Sequence, residues 1–240
     1  MIGTNELQKK LEGVKARILA AAQKAGRDLS AIRLVVVTKG HSVESIRALY
    51  ELGVREIGES YVEEGLEKQT KLSSISDLAW HMIGHVQSRK AGAVAKYFTM
   101  VHSVDSLKLA QKLDRSAAES DRILPILLEC NVSGEATKYG WHAWDKERWP
   151  ALIPEIGGLL LLHNVRVLGL MSMAPYLDEV EKARSYFART RELRDFLAEK
   201  FPHSDWSHLS MGMSGDFEAA ILEGATILRI GTAILGQRPK

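Results

Sequence analysis

The chain has 240 residues, with 32 Lys and Arg against 30 Asp and Glu, 45% apolar residues and a single cysteine. A net charge of +2 gives no broad field for nucleic acid. No window holds the ~18 consecutive apolar residues of a membrane-spanning helix, and Cys130 alone forms neither an internal disulfide nor a cysteine-rich zinc site. Residues 1–10 carry Glu6 and lack the apolar core of a signal peptide. The expectation is one domain over residues 1–240 in a reducing, cytoplasmic compartment.

Leu7, Leu11, Val14, Ile18, Ala21 and Ala25 recur at helical spacing, which predicts a first helix stopped by Gly26. Residues 32–37 form an apolar, β-branched run that reads as a buried strand. An alternation follows. Helices are predicted over 42–52, 61–72, 88–97, 106–118, 146–156 (disturbed by Pro150 and Pro154), 180–200 and 217–223, with a last one starting at Thr232. Strands are predicted over 54–57, 79–83, 99–102, 123–130, 165–171, 206–209 and 226–230, with a polar loop over 131–140. Regular strand–helix alternation implies a parallel sheet with right-handed crossovers. Eight such units fit an α/β (β/α)8 TIM barrel with an extra N-terminal helix; a doubly wound sheet is the alternative. In a barrel, chemistry sits at the C-terminal ends of the strands.

The first strand ends at Lys39, which shares strand parity with Val35 and Val37. If those valines face the barrel interior, the lysine points into its mouth. Partial desolvation there disfavours the ammonium, and a neutral amine is what Schiff-base chemistry with an aldehyde requires. The loops after the seventh and eighth strands, 210–216 and 229–233, each place small residues and backbone N–H groups at a helix start. Such starts suit a phosphate. Met211, Ser214, Gly215, Gly231 and Thr232 are the candidates there, the hydroxyls as donors and the glycines as points of close approach. Lysine plus phosphate cup fits pyridoxal 5'-phosphate (PLP) and also a sugar-phosphate aldolase. Arg229, in parity with Gly231, either forms an internal ion pair or faces a pyridine nitrogen and keeps it unprotonated.

Several stretches occur in a specific order: Leu-Val-Val-Val-Thr-Lys at 34–39, Ile-Gly-Glu-Ser-Tyr-Val-Glu-Glu-Gly at 57–65, and Trp-His-Met-Ile-Gly at 80–84 with Gln87 and Lys90. They continue with His-Ser-Val-Asp-Ser at 102–106, Asn-Val-Ser-Gly-Glu at 131–135 with Lys138 and Gly140, Gly-Leu-Met at 169–171, and the segments 210–220 and 229–236. This set resembles the YggS/PROSC family of pyridoxal phosphate homeostasis proteins, which share the alanine racemase N-terminal barrel (PLP fold type III). The resemblance implies that Lys39 carries PLP as a Schiff base. It also implies that Ser214, Gly231 and Thr232 hold the phosphate, that Arg229 faces the pyridine nitrogen, and that the 58–61 turn, including Ser60, and Ile83 line the ring. His81 is a further candidate beside the ring. The chain departs from the family pattern at Ser60 (usually Asn), Gly40-His41, His85, Arg89 and Tyr139.

Neither a dinucleotide fingerprint, a P-loop nor a nucleophile elbow is present. His81 and His85 lie four apart across a strand end and a glycine, which gives no helical metal-ligand pair. Trp141, Trp144 and Trp149 read as packing, and Cys130 as a small core residue. Two functions remain: a non-catalytic PLP carrier serving apo PLP-dependent enzymes, or an amino-acid racemase. Racemisation needs a base on each face of the α-carbon, and racemases of this fold take the second from a β-rich domain. No segment for such a second β domain is expected in this chain, so a monomeric carrier without metal or membrane partner is the leading reading.

Overall fold

A computed structural model describes residues 3–175 and 180–238; the first two residues of the 1–10 segment, residues 176–179 and the last two residues of the chain lie outside the described residues. Nine strands occur among the described residues: β1 (Arg33–Val37), β2 (Glu56–Glu59), β3 (Ala79–Met82), β4 (Met100–Val104), β5 (Leu124–Asn131), β6 (Trp141–His142), β7 (Val165–Ser172), β8 (His208–Ser210) and β9 (Ile227–Ile230). Their order is β1-β2-β3-β4-β5-β7-β8-β9, with β9 pairing back onto β1, and every pairing is parallel. The eight strands close a TIM barrel. The short β6 extends β5 at Cys130 and Asn131, beyond the last pairing of β4 at Leu128.

The helices are α1 (Thr4–Lys24), α2 (Val43–Glu51), α3 (Val62–Lys71), α4 (Ala91–Tyr97), α5 (Leu107–Ala118), α6 (Ile153–Leu160), α7 (Val180–Lys200), α8 (Phe217–Leu222) and α9 (Thr232–Leu235). The apolar stripe expected in the first helix is real: Leu7, Leu11, Val14, Ile18 and Ala21 are buried, and α1 packs on α8 and α9. Burial of such a face, rather than propensity, supplies most of a helix's stability.

The strands alternate as their sequence pattern requires. Val36, Ile57, Met82, Val101, Leu128, Leu170, Leu209 and Leu228 face outward into a large cluster under the helices. Val35, Met100, Leu127, Met171 and Ile227 form a separate cluster inside the barrel. The parity that places Lys39 on the interior side is therefore correct.

Several expected boundaries move, the 206–209 strand to His208–Ser210 and the 99–102 strand to Met100–Val104 among them. The second strand starts at Glu56 rather than Val54, whose N–H instead closes the preceding helix by bonding Leu49 O at 3.0 Å. Gly58 is then a strand residue facing inward, where an added Cβ would sit 2.9 Å from Val35 Cγ1 and 3.3 Å from Ile83 Cδ1. A side chain at that position would fill the upper interior of the barrel. The 146–156 helix is split into a 3-10 segment, Lys146–Leu152, and α6, because Pro150 removes a donor within the first and Pro154 opens the second. The 88–97 helix likewise begins as a 3-10 turn, Ser88–Lys90. Among the described residues no helix is long and apolar enough to cross a membrane.

Candidate functional site

A cavity of about 330 Å3 opens at the C-terminal ends of the strands, within the ~300–1,000 Å3 range of small-molecule sites. It is lined by Lys39, Ser60, Ile83, Ser214, Gly215, Arg229, Gly231 and Thr232 among others. Eight of the ten residues singled out from sequence thus converge on one space, although their chain positions run from Lys39 to Thr232.

Lys39 follows β1, and its flanking backbone is held tightly. Thr38 is fully buried; its N–H donates to Gly58 O at 3.0 Å and its Oγ1 to Glu59 Oε1 at 2.5 Å. Lys68 Nζ donates to Thr38 O at 2.7 Å, to Glu59 Oε1 at 2.7 Å and to Glu64 Oε1 at 2.6 Å. Glu64 Oε1 also accepts from Gly40 N at 2.5 Å. A buried lysine and two glutamates therefore clamp the residues on both sides of Lys39. Burial lowers the pKa of Lys39, and the positive charges of Arg238 and Arg229 lower it further, against the pull of Glu59 and Glu64. The amine is biased toward the neutral, nucleophilic form.

On the opposite wall, Ser214 Oγ accepts from the backbone N–H of Gly231 at 3.3 Å and of Ala233 at 3.1 Å. An oxygen acceptor thus already sits where these donors converge, as a phosphate oxygen would require. A Cβ built on Gly215 meets nothing within 4 Å, so this wall has open space. Arg229, 4% exposed, donates from Nη1 to Ser210 Oγ at 2.6 Å and from Nη2 to Ser172 O at 2.9 Å. Burial lowers its pKa to about 10, with Glu129 and Asp216 opposing, so it stays a cation at neutral pH. The internal ion pair left open from sequence is not what holds Arg229: among the described residues its hydrogen-bond partners are a hydroxyl and a carbonyl.

Gly84 shapes the side of the cavity lined by Ser60 and Ile83. A Cβ there would lie 2.2 Å from Ser60 O, a backbone atom that cannot yield cheaply. The close approach of the two loops sets Ser60 beside Ile83.

Two sequence candidates are not in the cavity. His81 is fully buried within the barrel, where Nδ1 lies 2.9 Å from His102 Nε2 and Nε2 contacts Glu56. Met211 is also fully buried, packed in the outer cluster, with its N–H on Ile227 O. A strand-end motif marks both, but strand parity turns the Met211 side chain outward, and His81 lies one interior layer below Ile83. Conversely, His41, Met173, Met213 and Arg238 line the cavity and were not legible. His41 and Arg238 sit outside any periodic segment, and only the folded chain brings Arg238 against Gly40.

Glu129 was also missed. Its neighbours in sequence are apolar and it reads as one more strand residue, yet it is 4% exposed and its Oε2 has no hydrogen-bond partner among the described residues. Burial and Asp105 push its pKa up to about 7, against the attraction of Arg229. A carboxyl whose folded pKa is raised keeps full stability below its unfolded value and loses it as pH rises through about 7. Glu129→Gln should therefore gain about 2–3 kcal/mol over the wild type near pH 8.5, with the gain shrinking to nothing near pH 4.5. Urea unfolding across that range checks this; a pH-independent difference would contradict the assignment.

Residues 10–239 match the family described as alanine racemase, N-terminal domain. A pyridoxal phosphate homeostasis protein of Pseudomonas aeruginosa is 42% identical over 94% of this chain and 93% of its own length. One of Aquifex aeolicus is 40% identical over 95% of this chain and 97% of its own. The chain belongs to the pyridoxal phosphate homeostasis protein family. A solved structure of PipY from Synechococcus elongatus PCC7942, with PLP bound, superposes with a TM-score of 0.83 at 33% identity, covering 96% of this chain and 100% of that one. Alanine racemase of Clostridium difficile 630 shares the fold, with a TM-score of 0.71 at 19% identity; this chain spans 58% of its length.

Two departures from the pyridoxal phosphate homeostasis pattern turn out to be one contact. The rings of His85 and Tyr139 stack at 3.9 Å and 15°, and His85 Nδ1 lies 3.0 Å from Asp105 Oδ2. The stack ties the loop after β3 to the loop after β5.

Proposed function

We propose that this protein binds pyridoxal 5'-phosphate through Lys39 and holds it for intracellular cofactor homeostasis without substantial turnover. The observation that carries this reading is the single cavity uniting a desolvated lysine, the Ser214–Gly231–Thr232 wall and Arg229. The cofactor supplies an aldehyde that condenses reversibly with a primary amine and a ring that stabilises carbanions. Lys39 offers the amine, oriented by the clamp on Thr38 and Gly40. Ser214, Gly215, Gly231 and Thr232 would receive the phosphate, and Ser60 and Ile83 would flank the ring. Arg229 can only donate hydrogen bonds, so it would face an unprotonated ring nitrogen and leave the ring a weak electron sink.

The test is incubation with PLP, borohydride reduction and peptide mapping, with the label expected on Lys39. Ser214→Ala combined with Thr232→Ala should weaken retention roughly tenfold or more, because hydrogen bonds to charged groups are the stronger kind. Normal retention in the double variant would remove the phosphate wall from the reading.

The likeness of the barrel to alanine racemase keeps a second reading, a PLP-dependent racemase. That chemistry needs a base opposite Lys39. Tyr61 is 57% exposed and is not among the cavity-lining residues, which favours the carrier. Turnover of alanine enantiomers lost in Lys39→Ala would favour the racemase instead. We further propose that the carrier is cytoplasmic and monomeric and delivers PLP to apo-enzymes, which a transfer assay with an apo PLP enzyme tests.

A further inference from the structure

The interior of a TIM barrel is ordinarily filled by layers of branched apolar side chains. Here a polar line crosses it. At the N-terminal end of the strands, Arg33 Nη2 donates to both Glu56 carboxylate oxygens at 2.9 Å. Glu56 contacts His81 Nε2, His81 Nδ1 lies 2.9 Å from His102 Nε2, and His102 Nδ1 lies 2.9 Å from Ser210 Oγ. Ser210 Oγ accepts from Arg229 Nη1 at 2.6 Å, and Arg229 lines the cavity. His81, His102 and Ser210 are all fully buried.

The chemistry of the two ends dictates the direction of every bond between them. A guanidinium has donors and no acceptor. Ser210 Oγ must therefore accept from Arg229, and because Glu56 can only accept, the neutral imidazoles pass that polarity along, so that the single Ser210 proton points to His102 Nδ1. That nitrogen is an acceptor, so a neutral His102 carries its proton on Nε2 and donates to His81 Nδ1. His81 in turn carries its proton on Nε2 and donates to Glu56, which receives Arg33 on its other side. Burial of His102, reinforced by the charges of His81, Arg229, Arg33 and His208, keeps it neutral. The Glu56 carboxyl, despite desolvation, is drawn down to about 2 by His81 and Arg33 and serves as an acceptor only.

We propose that this one-way chain, from Arg229 through Ser210, His102 and His81 to Glu56, orients the Arg229 guanidinium in the cavity. His102, His81 and Ser210 are positioning residues; the part concerning a bound ligand rests on the proposed function.

Histidine side-chain 15N NMR of the ligand-free full chain at pH 8 tests the direction. The expected result is a proton on Nε2 alone in both His81 and His102. Detection of the Nδ1–H form of His102 at that pH overturns the proposal. Ser210→Ala removes the hydroxyl that donates to His102 Nδ1, so the 15N shift of that nitrogen should move from its wild-type value while the proton stays on Nε2, fixed from the Glu56 side. Thr190→Val, which alters a buried hydroxyl bonded to Ser172 and not the chain, should leave that shift unchanged. In PLP-loaded protein, Ser210→Ala should move the pH midpoint of the visible absorbance by about one unit and Thr190→Val should not. Equal shifts in the two variants, or none in Ser210→Ala, overturn the positioning role. Absence of PLP binding by the wild type would instead sink the proposed function, and the NMR result would still decide the chain.

Discussion

Lys39→Ala is expected to abolish borohydride-stable attachment of PLP while leaving the barrel folded. Retention of the cofactor after gel filtration should fall roughly 100-fold or more, because a positioned amine acts at a high effective concentration. The fold should survive because the backbone there is secured by its neighbours. Thr38 is anchored to Gly58, Glu59 and Lys68, and Gly40 to Glu64. The lowered pKa of Lys39 adds a pH signature. Wild-type attachment should persist to lower pH than labelling of an ordinary surface lysine, since the neutral amine is populated earlier in the titration. Circular dichroism and thermal unfolding check the fold, and absorbance with peptide mapping checks the attachment. Unchanged visible absorbance in the alanine variant would remove Lys39 from its assigned role.

Lys68→Met carries the largest expected loss of stability. The Lys68 side chain is 6% exposed and that of Glu59 0%, and the two are joined at 2.7 Å. Removing one partner of a buried ion pair leaves a charge without compensation and costs about 3–5 kcal/mol. Burial already raises the Glu59 pKa, and its hydrogen bonds to Lys68 and Thr38 hold it down. Without Lys68 it rises further. A carboxyl with a raised folded pKa is tolerated while protonated and destabilises as pH climbs through that pKa. The deficit of the variant against the wild type should therefore be greatest near pH 8 and shrink toward pH 5, as followed by urea unfolding. A deficit independent of pH would mean that only packing was lost. Because Lys68 Nζ also holds Thr38 O, PLP retention should weaken in the same variant at temperatures where it remains folded.

The elements that were legible in the sequence are those that obey a period. The α1 stripe, the β-branched runs of β1 and β5, and the placement of Lys39 on the side of Val35 follow from repeats of 3.6 and 2. Ser214, Gly215, Gly231 and Thr232 were legible as cavity residues because hydroxyls and glycines cluster beside helix starts after the last two strands. Residues without a period were not. Glu59, Glu64 and Lys68 appear as ordinary charges on a short strand and a helix, and their convergence on Thr38 depends on how α3 packs against β2. His102 and Ser210 are 108 positions apart. No local signal links them, and only closure of the barrel sets them across its interior.

By itself, the sequence determined the alternation of strand and helix, the face of each element that is buried, and the placement of Lys39 past the end of the first strand on the interior side. These are consequences of local geometry, in which each side chain's direction follows from its position in a repeat. The tertiary structure alone decided which charges are desolvated and which meet. The depressed pKa of Lys39, the raised pKa of Glu129 and the polar chain from Arg229 to Arg33 all arise from groups distant in sequence forced together in a medium that solvates charge poorly. Burial and proximity are properties of the closed barrel, and no segment read alone contains them.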